Sequence, residues 1–346
     1  MKRHLIKRRA ILAAAAAVAF TAALPFGTAV SFAADVTLRV HHFLPPQANI
    51  PKYAIQAWAD KVEKDSDGRI DVEVFPAMQL GGKPPALYQQ VQDGVVDVAW
   101  TVIGYTPGRF PKTEAFELPF MTGNAEKGSR AFHQYVTEQG PEEFKDIKPL
   151  AFHVHGPGVI HSSKPVSTVA DMKGLKVRGP TRVINNLLAK TGAAPVGMPV
   201  PAIPEGLQKG VIDAAVIPFE VAPALKVPEL VSNHTGFASD PGLYTATFVF
   251  GMNQAKYDAL PDDLKKVIDA NSGPDLAAAF GKVMDEGDVP GKEAASKNNV
   301  VMIEDRAEWE KVGEEVTKDW IAEANGKGLD GEALVKAAKD AIAAQE

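Results

Sequence analysis

The sequence predicts an α/β protein built as two similarly organised lobes, and three observations carry that prediction. Strand and helix patterns alternate from residue 36 onward. The alternation restarts near residue 149. A segment of the first half, Gln92-Asp93-Gly94-Val95-Val96-Asp97-Val98-Ala99, is echoed in the second as Gln208-Lys209-Gly210-Val211-Ile212-Asp213-Ala214-Ala215. Each copy reads as a helix end, a glycine in the left-handed cap, and a buried strand. Their separation far exceeds a solenoid period, so the echo marks two α/β units.

The elements follow in order. Residues 36–40 alternate apolar and polar as a half-buried strand does, and Pro45, Pro46 and Pro51 make a loop. Tyr53, Ile55, Ala57, Trp58 and Val62 give residues 53–64 helical spacing, and Asp67-Gly68 ends that helix. Residues 70–75 alternate again. A short helix over 87–92 is closed by Gly94, and the apolar run 95–101 reads as a strand buried on both faces, as in a parallel sheet. Strand-helix alternation of this kind opens an α/β domain. In the second half, strands are expected at 149–155, 174–177 and 211–217, with helices at 182–190 and 204–209. The β-branched and aromatic run 243–251 is a further strand. Pro261 opens a helix with Asp262 and Asp263 in its first turn, where the helix dipole favours acids. A longer helix is expected over 274–287. The charged tail 308–346 is helical, with Trp309, Val312, Val316 and Trp320 on one stripe, and is expected to pack across the outside of the lobes.

The amino terminus reads as a leader. Lys2, Arg3, Lys7, Arg8 and Arg9 precede an uncharged, Ala-rich stretch over 10–23, and Ser31-Phe32-Ala33 supplies small residues at the cleavage positions. That order is a secretory signal peptide, with the mature chain beginning near Ala34 or Asp35. The apolar stretch is shorter than the ~20 residues a membrane-spanning helix needs. Arg8-Arg9 also fits a twin-arginine signal; an ordinary basic leader is the simpler reading, and both routes stay open. Removing residues 1–33 takes away five basic residues and no acid, so the net charge moves from -6 to -11. The roughly 310 residues that remain exceed what one core usually supports. An acidic surface argues against nucleic acid and against anionic membranes. The chain has no Cys. That excludes disulfides, thiol nucleophiles, Cys-ligated zinc and iron–sulfur centres.

No catalytic constellation is visible. His41-His42, His153-x-His155 and His161 lack a third ligand at supporting spacing, so hydrogen bonding and packing are their expected roles, with no metal site and no cofactor. Gly-x-Ser-x-Gly and glycine-rich phosphate loops are missing. Arg178 is the most informative single residue. It follows the predicted strand at Leu175-Lys176-Val177 and precedes Gly179-Pro180, and ligands of open α/β sheets bind at such carboxyl ends. Its guanidinium fork matches a carboxylate, although a surface arginine in a turn is the simpler alternative. Aromatic residues gather around loops at His42-Phe43, Trp100, Tyr105 and Phe219. Trp100 and Phe219 sit at or beyond the ends of the echoed strands, which should face one crevice, and Glu220 is placed to accept a hydrogen bond from a ligand or to cap a helix.

Five segments, Met78-Gln79-Leu80-Gly81-Gly82, Gln92-x-Gly94-Val95-x-Asp97, Phe116-Glu117-Leu118-Pro119-Phe120, Met172-Lys173-Gly174-Leu175-Lys176-Val177-Arg178 and Gln208-x-Gly210-Val211-Ile212-Asp213, occur in an order that resembles the extracytoplasmic solute receptors of TRAP transporters, the DctP type. The resemblance implies a two-lobed periplasmic binding protein fold with crossing strands and long helices between the lobes. It implies lobes of residues 34–157 plus 244–283 and of residues 158–243 plus 284–346, closing over an organic acid held by one arginine. Arg178 falls on that arginine's position. The chain departs from the family pattern in two places. No arginine precedes Ser162-Ser163-Lys164-Pro165, and Ala214-Ala215-Val216-Ile217-Pro218 replaces a polar run. Fewer charged partners and more apolar lining point to a monocarboxylate with an apolar or aromatic body, since buried apolar area contributes ~25 cal/mol per Å2. The expected contacts are Arg178, Phe43, Trp100, Tyr105, Phe219, Glu220 and His42. The expected role is a periplasmic, monomeric, non-enzymatic receptor that delivers its ligand to TRAP permease subunits. A binding protein of another importer or a chemoreceptor, and a periplasmic hydrolase, are the rival readings.

Overall fold

The computed structural model describes residues 34–345; the leader expected over 1–33, with its export signal, lies outside the described residues. In chain order the first half forms β1 (Val36–His41), α1 (Gln56–Asp65), β2 (Ile70–Phe75), α2 (Leu87–Gln92), β3 (Val98–Val102), α3 (Ala125–Gln139) and β4 (Ile147–Val154). It continues with β5 (Val159–Ser162), β6 (Lys176–Gly179), α4 (Arg182–Lys190), β7 (Ala194–Gly197), α5 (Ile203–Gln208), β8 (Ala214–Ile217), α6 (Val227–Leu230) and β9 (Asn233–Phe237). The remainder is β10 (Thr247–Asn253), α7 (Gln254–Asp258), α8 (Asp262–Ala270), α9 (Pro274–Ala295), β11 (Asn299–Ile303), α10 (Ala307–Gly326) and α11 (Gly331–Ala343).

The strands make two sheets. The first has the order β2-β1-β3-β10-β4 and the second β11-β9-β5-β8-β6-β7. In β1 the alternation buries Leu38 and Val40, and the strand pairs in parallel with β2 from Val36↔Ile70 to His41↔Phe75. Every residue of β3 is buried. The parallel environment expected for it is half correct: β3 runs parallel to β1 and antiparallel to β10. The helix expected over 53–64 begins earlier. A π-helical turn at Ile50–Ile55 leads into α1, with Pro51 in its first turn, where a missing N–H costs nothing.

The sequence echo has a structural cause. Gly94 and Gly210 both adopt positive φ (71° and 66°) after α2 and α5. Asp97 then accepts the Arg39 backbone N–H from β1 at 2.9 Å, and Asp213 accepts the Lys176 backbone N–H of β6, also at 2.9 Å. Each motif aspartate therefore pins its strand to the parallel neighbour. The same turns shorten the predicted strands. Val95 and Val211 are about half exposed (52% and 50%), and the pairing starts only at Val98 and Ala214.

Several elements were not read from the sequence, among them α3, β5, β7, β9 and β11. For α3 the signal was present: Asn124 caps it by accepting from the Lys127 N–H, and Ala131, Phe132, Tyr135 and Val136 form its buried face. The helix expected over 274–287 extends to Ala295. Its Asp285 accepts the N–H groups of Ala125 and Glu126 at the start of α3, while its Asp288 accepts the N–H of Glu220 after β8. Thus α9 touches elements associated with both sheets. The tail is two helices: α10 packs on α4, and α11 packs on α3. No helix among the described residues is long and apolar enough to cross a membrane.

Candidate functional site

Arg178 lies in β6, opposite Val196 of β7 and Ala215 of β8. The side chain is 1% exposed. Its Nε donates to the Met198 carbonyl at 2.8 Å and its Nη1 to the Val216 carbonyl at 3.0 Å. Nη2 is buried without a partner in the protein. The Tyr105 hydroxyl lies beside the guanidinium and accepts the Val200 N–H at 2.9 Å. Burial lowers the arginine pKa, opposed by Tyr105 and Tyr244, and a guanidinium still keeps its charge. The result is a fixed cation, aimed by two carbonyls, with one N–H-bearing nitrogen left over.

That nitrogen belongs to a residue lining a cavity. The cavity volume is about 30 Å3. Aromatic rings form much of the wall. Phe43 stacks on Trp100 at 4.9 Å between centroids, and Trp100 stacks on Phe248 at 5.1 Å with planes 10° apart. Tyr244, His155 and Glu220 add polar atoms. His155 has both nitrogens committed: Nδ1 pairs with the Gly156 carbonyl, and Nε2 accepts the Ala246 N–H at 3.0 Å. Burial, reinforced by Arg178, pushes its pKa down to about 4, so the ring is neutral.

The cavity brings together Arg178, Phe43, Trp100, Tyr105 and Glu220 from the expected contact set. It does not include His42 or Phe219. His42 follows β1 and is fully buried with neither ring nitrogen partnered; the chain bends directly after it, at Phe43, which lines the cavity. Phe219 turns its ring edge-on to His161 at 5.6 Å and packs with Val159 and Ala295, while Ile217 and Pro218 line the cavity in its place. His161 itself pairs with His234, Nδ1 to Nδ1 at 2.7 Å. No three His, Asp or Glu side chains among the described residues are grouped to hold a metal ion.

Sequence reasoning missed Tyr244, Phe248 and His155. The strand expected over 243–251 starts only at Thr247, which leaves residues 243–246 free to pass the cavity. The contact that lets Tyr244 in is at Gly158, and it is visible only in the folded chain. A Cβ there would stand 2.0 Å from the Tyr244 ring, so only glycine admits it. The Tyr244 hydroxyl, like Arg178 Nη2, is buried and unpartnered.

Comparison with known proteins gives a consistent result. The profile of the family described as bacterial extracellular solute-binding protein, family 7 (DctP) matches residues 40–323. A TRAP solute-binding protein from Rhodoferax ferrireducens T118, solved with copurified benzoate, is 48% identical, with a TM-score of 0.88 over 89% of this chain and 98% of that one. A marine-metagenome TRAP solute-binding protein specific for aromatic acid ligands, solved with 3-hydroxybenzoate, is also 48% identical, with a TM-score of 0.89 over 91% of this chain and 100% of that one. The C4-dicarboxylate-binding periplasmic protein DctP of Rhodobacter capsulatus is 27% identical over 294 residues, 82% of this chain and 85% of that one.

Proposed function

We infer the role of this chain from the family it belongs to, the DctP-type bacterial extracellular solute-binding proteins of family 7, and from the cavity around Arg178. It is an extracytoplasmic receptor that captures an aromatic monocarboxylate and delivers it to the membrane subunits of a TRAP transporter. The observation that carries this reading is Arg178 Nη2, buried, charged and unpartnered at an aromatic-lined cavity. A carboxylate placed there gains a charge-assisted hydrogen bond in a low-dielectric site. Tyr244, with its own free hydroxyl, is the second donor to that carboxylate. Phe43, Trp100 and Phe248 hold the ring by stacking and burial. The two similar solved receptors, with benzoate and 3-hydroxybenzoate, support this ligand class.

Capture works by closure. Residues 34–157 with 244–283 form one lobe and residues 158–243 with 284–346 the other, except that the last helix, α11, packs on α3 of the first. Arg178 and Glu220 come from the second, while Phe43, Trp100 and Tyr105 come from the first, so a ligand between them favours the closed form by touching both. The protein works as a monomer and without chemistry. In support, the one histidine in the cavity has no free lone pair to act as a base. Titration calorimetry with benzoate tests the reading. Wild type should bind it, and Arg178→Ala should weaken binding about 100-fold or more, on the order of 3 kcal/mol for an unmatched buried charge. Unchanged affinity in that variant removes Arg178 from the site.

A further inference from the structure

The carboxylate of the ligand does not account for every unpartnered polar atom of the cavity-lining residues. Glu220 also lines it, is 6% exposed, and leaves Oε2 buried without a partner. Among the described residues Glu220 forms no ion pair, with Arg178 or any other cation. Two elements fix its position. Its backbone N–H donates to Asp288 Oδ1 of α9 at 2.9 Å, and its carbonyl accepts from Asn49 Nδ2 at 3.4 Å. The side chain is therefore held at the cavity wall with an unused hydrogen-bonding atom, an arrangement that is costly unless a ligand completes it.

We propose that Glu220 is the specificity residue for a hydroxyl carried on the ring of the captured acid. The proposal rests on the aromatic monocarboxylate reading and extends it to the second polar group of the ligand. Phe43, Trp100 and Phe248 carry no hydroxyl partner and both His155 nitrogens are already engaged, so a ring hydroxyl finds its complement at Glu220. The groups around Glu220 favour a hydroxyl over a charged substituent. Asp288 faces its backbone from α9, Asn49 faces it from the segment before α1, and Lys292, the cation near Asp288, does not line the cavity. Burial and Asp288 push the Glu220 pKa up to about 8, and burial pushes Asp288 up to about 7. At neutral pH Glu220 is then mainly a carboxylic acid, which both donates and accepts, as a phenolic hydroxyl does. A site built to pair a hydroxyl discriminates against the analogue lacking it.

The test is the ratio of affinities for benzoate and for 2-, 3- and 4-hydroxybenzoate, measured by calorimetry. In wild type at least one hydroxybenzoate should bind about five- to thirty-fold more tightly than benzoate. In Glu220→Leu that ratio should fall to about one, and in Glu220→Gln, which keeps a donor and an acceptor, it should largely survive. Should the Leu variant fail to fold, Glu220→Met carries the same expectation. A wild-type ratio near one, or a ratio that persists in Leu or Met, overturns the assignment while leaving the carboxylate reading intact. Failure of every aromatic acid to bind, or benzoate binding indifferent to Arg178→Ala, overturns the carboxylate reading and this inference with it.

Discussion

Trp100 donates its indole N–H to Nε2 of His153 at 2.7 Å, with the two rings 12° from parallel. Both residues are buried, and the bond fixes the indole that forms part of the cavity wall. Trp100→Phe retains a ring for stacking but leaves His153 Nε2 without its donor. We expect a loss of about 1–3 kcal/mol in unfolding free energy, read from denaturant titration, together with weaker binding of aromatic acids.

His153 also predicts a pH response. Burial pushes its pKa down to about 3, below its ordinary value near 6.5. The folded state keeps the ring neutral while the unfolded chain protonates it. This contribution is present above pH 6.5 and is lost as pH falls toward 3. His153→Leu should therefore flatten the fall of stability between pH 6.5 and 4 by about one proton's worth of slope. An unchanged slope would show that His153 titrates normally in the folded protein.

Glu117 acts in the opposite sense. Its Oε1 accepts from the N–H and the hydroxyl of Thr247 at 3.1 and 2.9 Å, and burial raises its pKa to about 7. A raised carboxyl stabilises below its unfolded pKa and loses that contribution as pH rises through 7. Glu117→Gln should remove this part of the decline in Tm between pH 5 and 8, measured by calorimetric scanning.

Arg182, which opens α4 four residues after Arg178, joins segments associated with the two sheets. Its Nε donates to Glu114 Oε1 at 3.1 Å and its Nη2 reaches Glu114 Oε2, which also accepts the Trp320 indole N–H at 3.0 Å. A bidentate, partly buried pair of this kind should favour the closed form. Arg182→Ala is expected to speed ligand dissociation about five- to thirty-fold, about 1–2 kcal/mol, with little change in association rate. Stopped-flow fluorescence of the cavity tryptophan reads this directly.

Gly158→Ala tests the route by which Tyr244 enters the cavity. The added methyl would meet the ring at 2.0 Å, so the ring or the 155–158 segment must move. We expect a lower Tm and at least a tenfold loss in benzoate affinity, a cost of about 1.4 kcal/mol or more. Affinity equal to wild type would place Tyr244 outside the binding contacts.

What the sequence determined by itself was whatever local pattern controls. Period-two alternation placed β1 and β2, glycine caps placed the ends of α2 and α5, and the repeated Val-x-Asp motif marked two units whose aspartates do the same work at 2.9 Å. Arg178 was also legible, because a strand end followed by Gly-Pro is a local feature. Tertiary structure decided the rest. The strands pair later than the local pattern suggests because the residue after each glycine serves the turn, and β5, β7, β9 and β11 carry no regular alternation of apolar and polar residues. Phe219 and His42 lie off the cavity, and Tyr244 and Phe248 lie on it, because the facing of a loop or strand-end side chain is set by contacts distant in sequence. The glycine at 158 that admits Tyr244, and the α9 aspartate at 288 that holds Glu220, are such contacts. Composition and spacing carry no record of them, since a buried polar atom finds its partner only when the chain has folded around it.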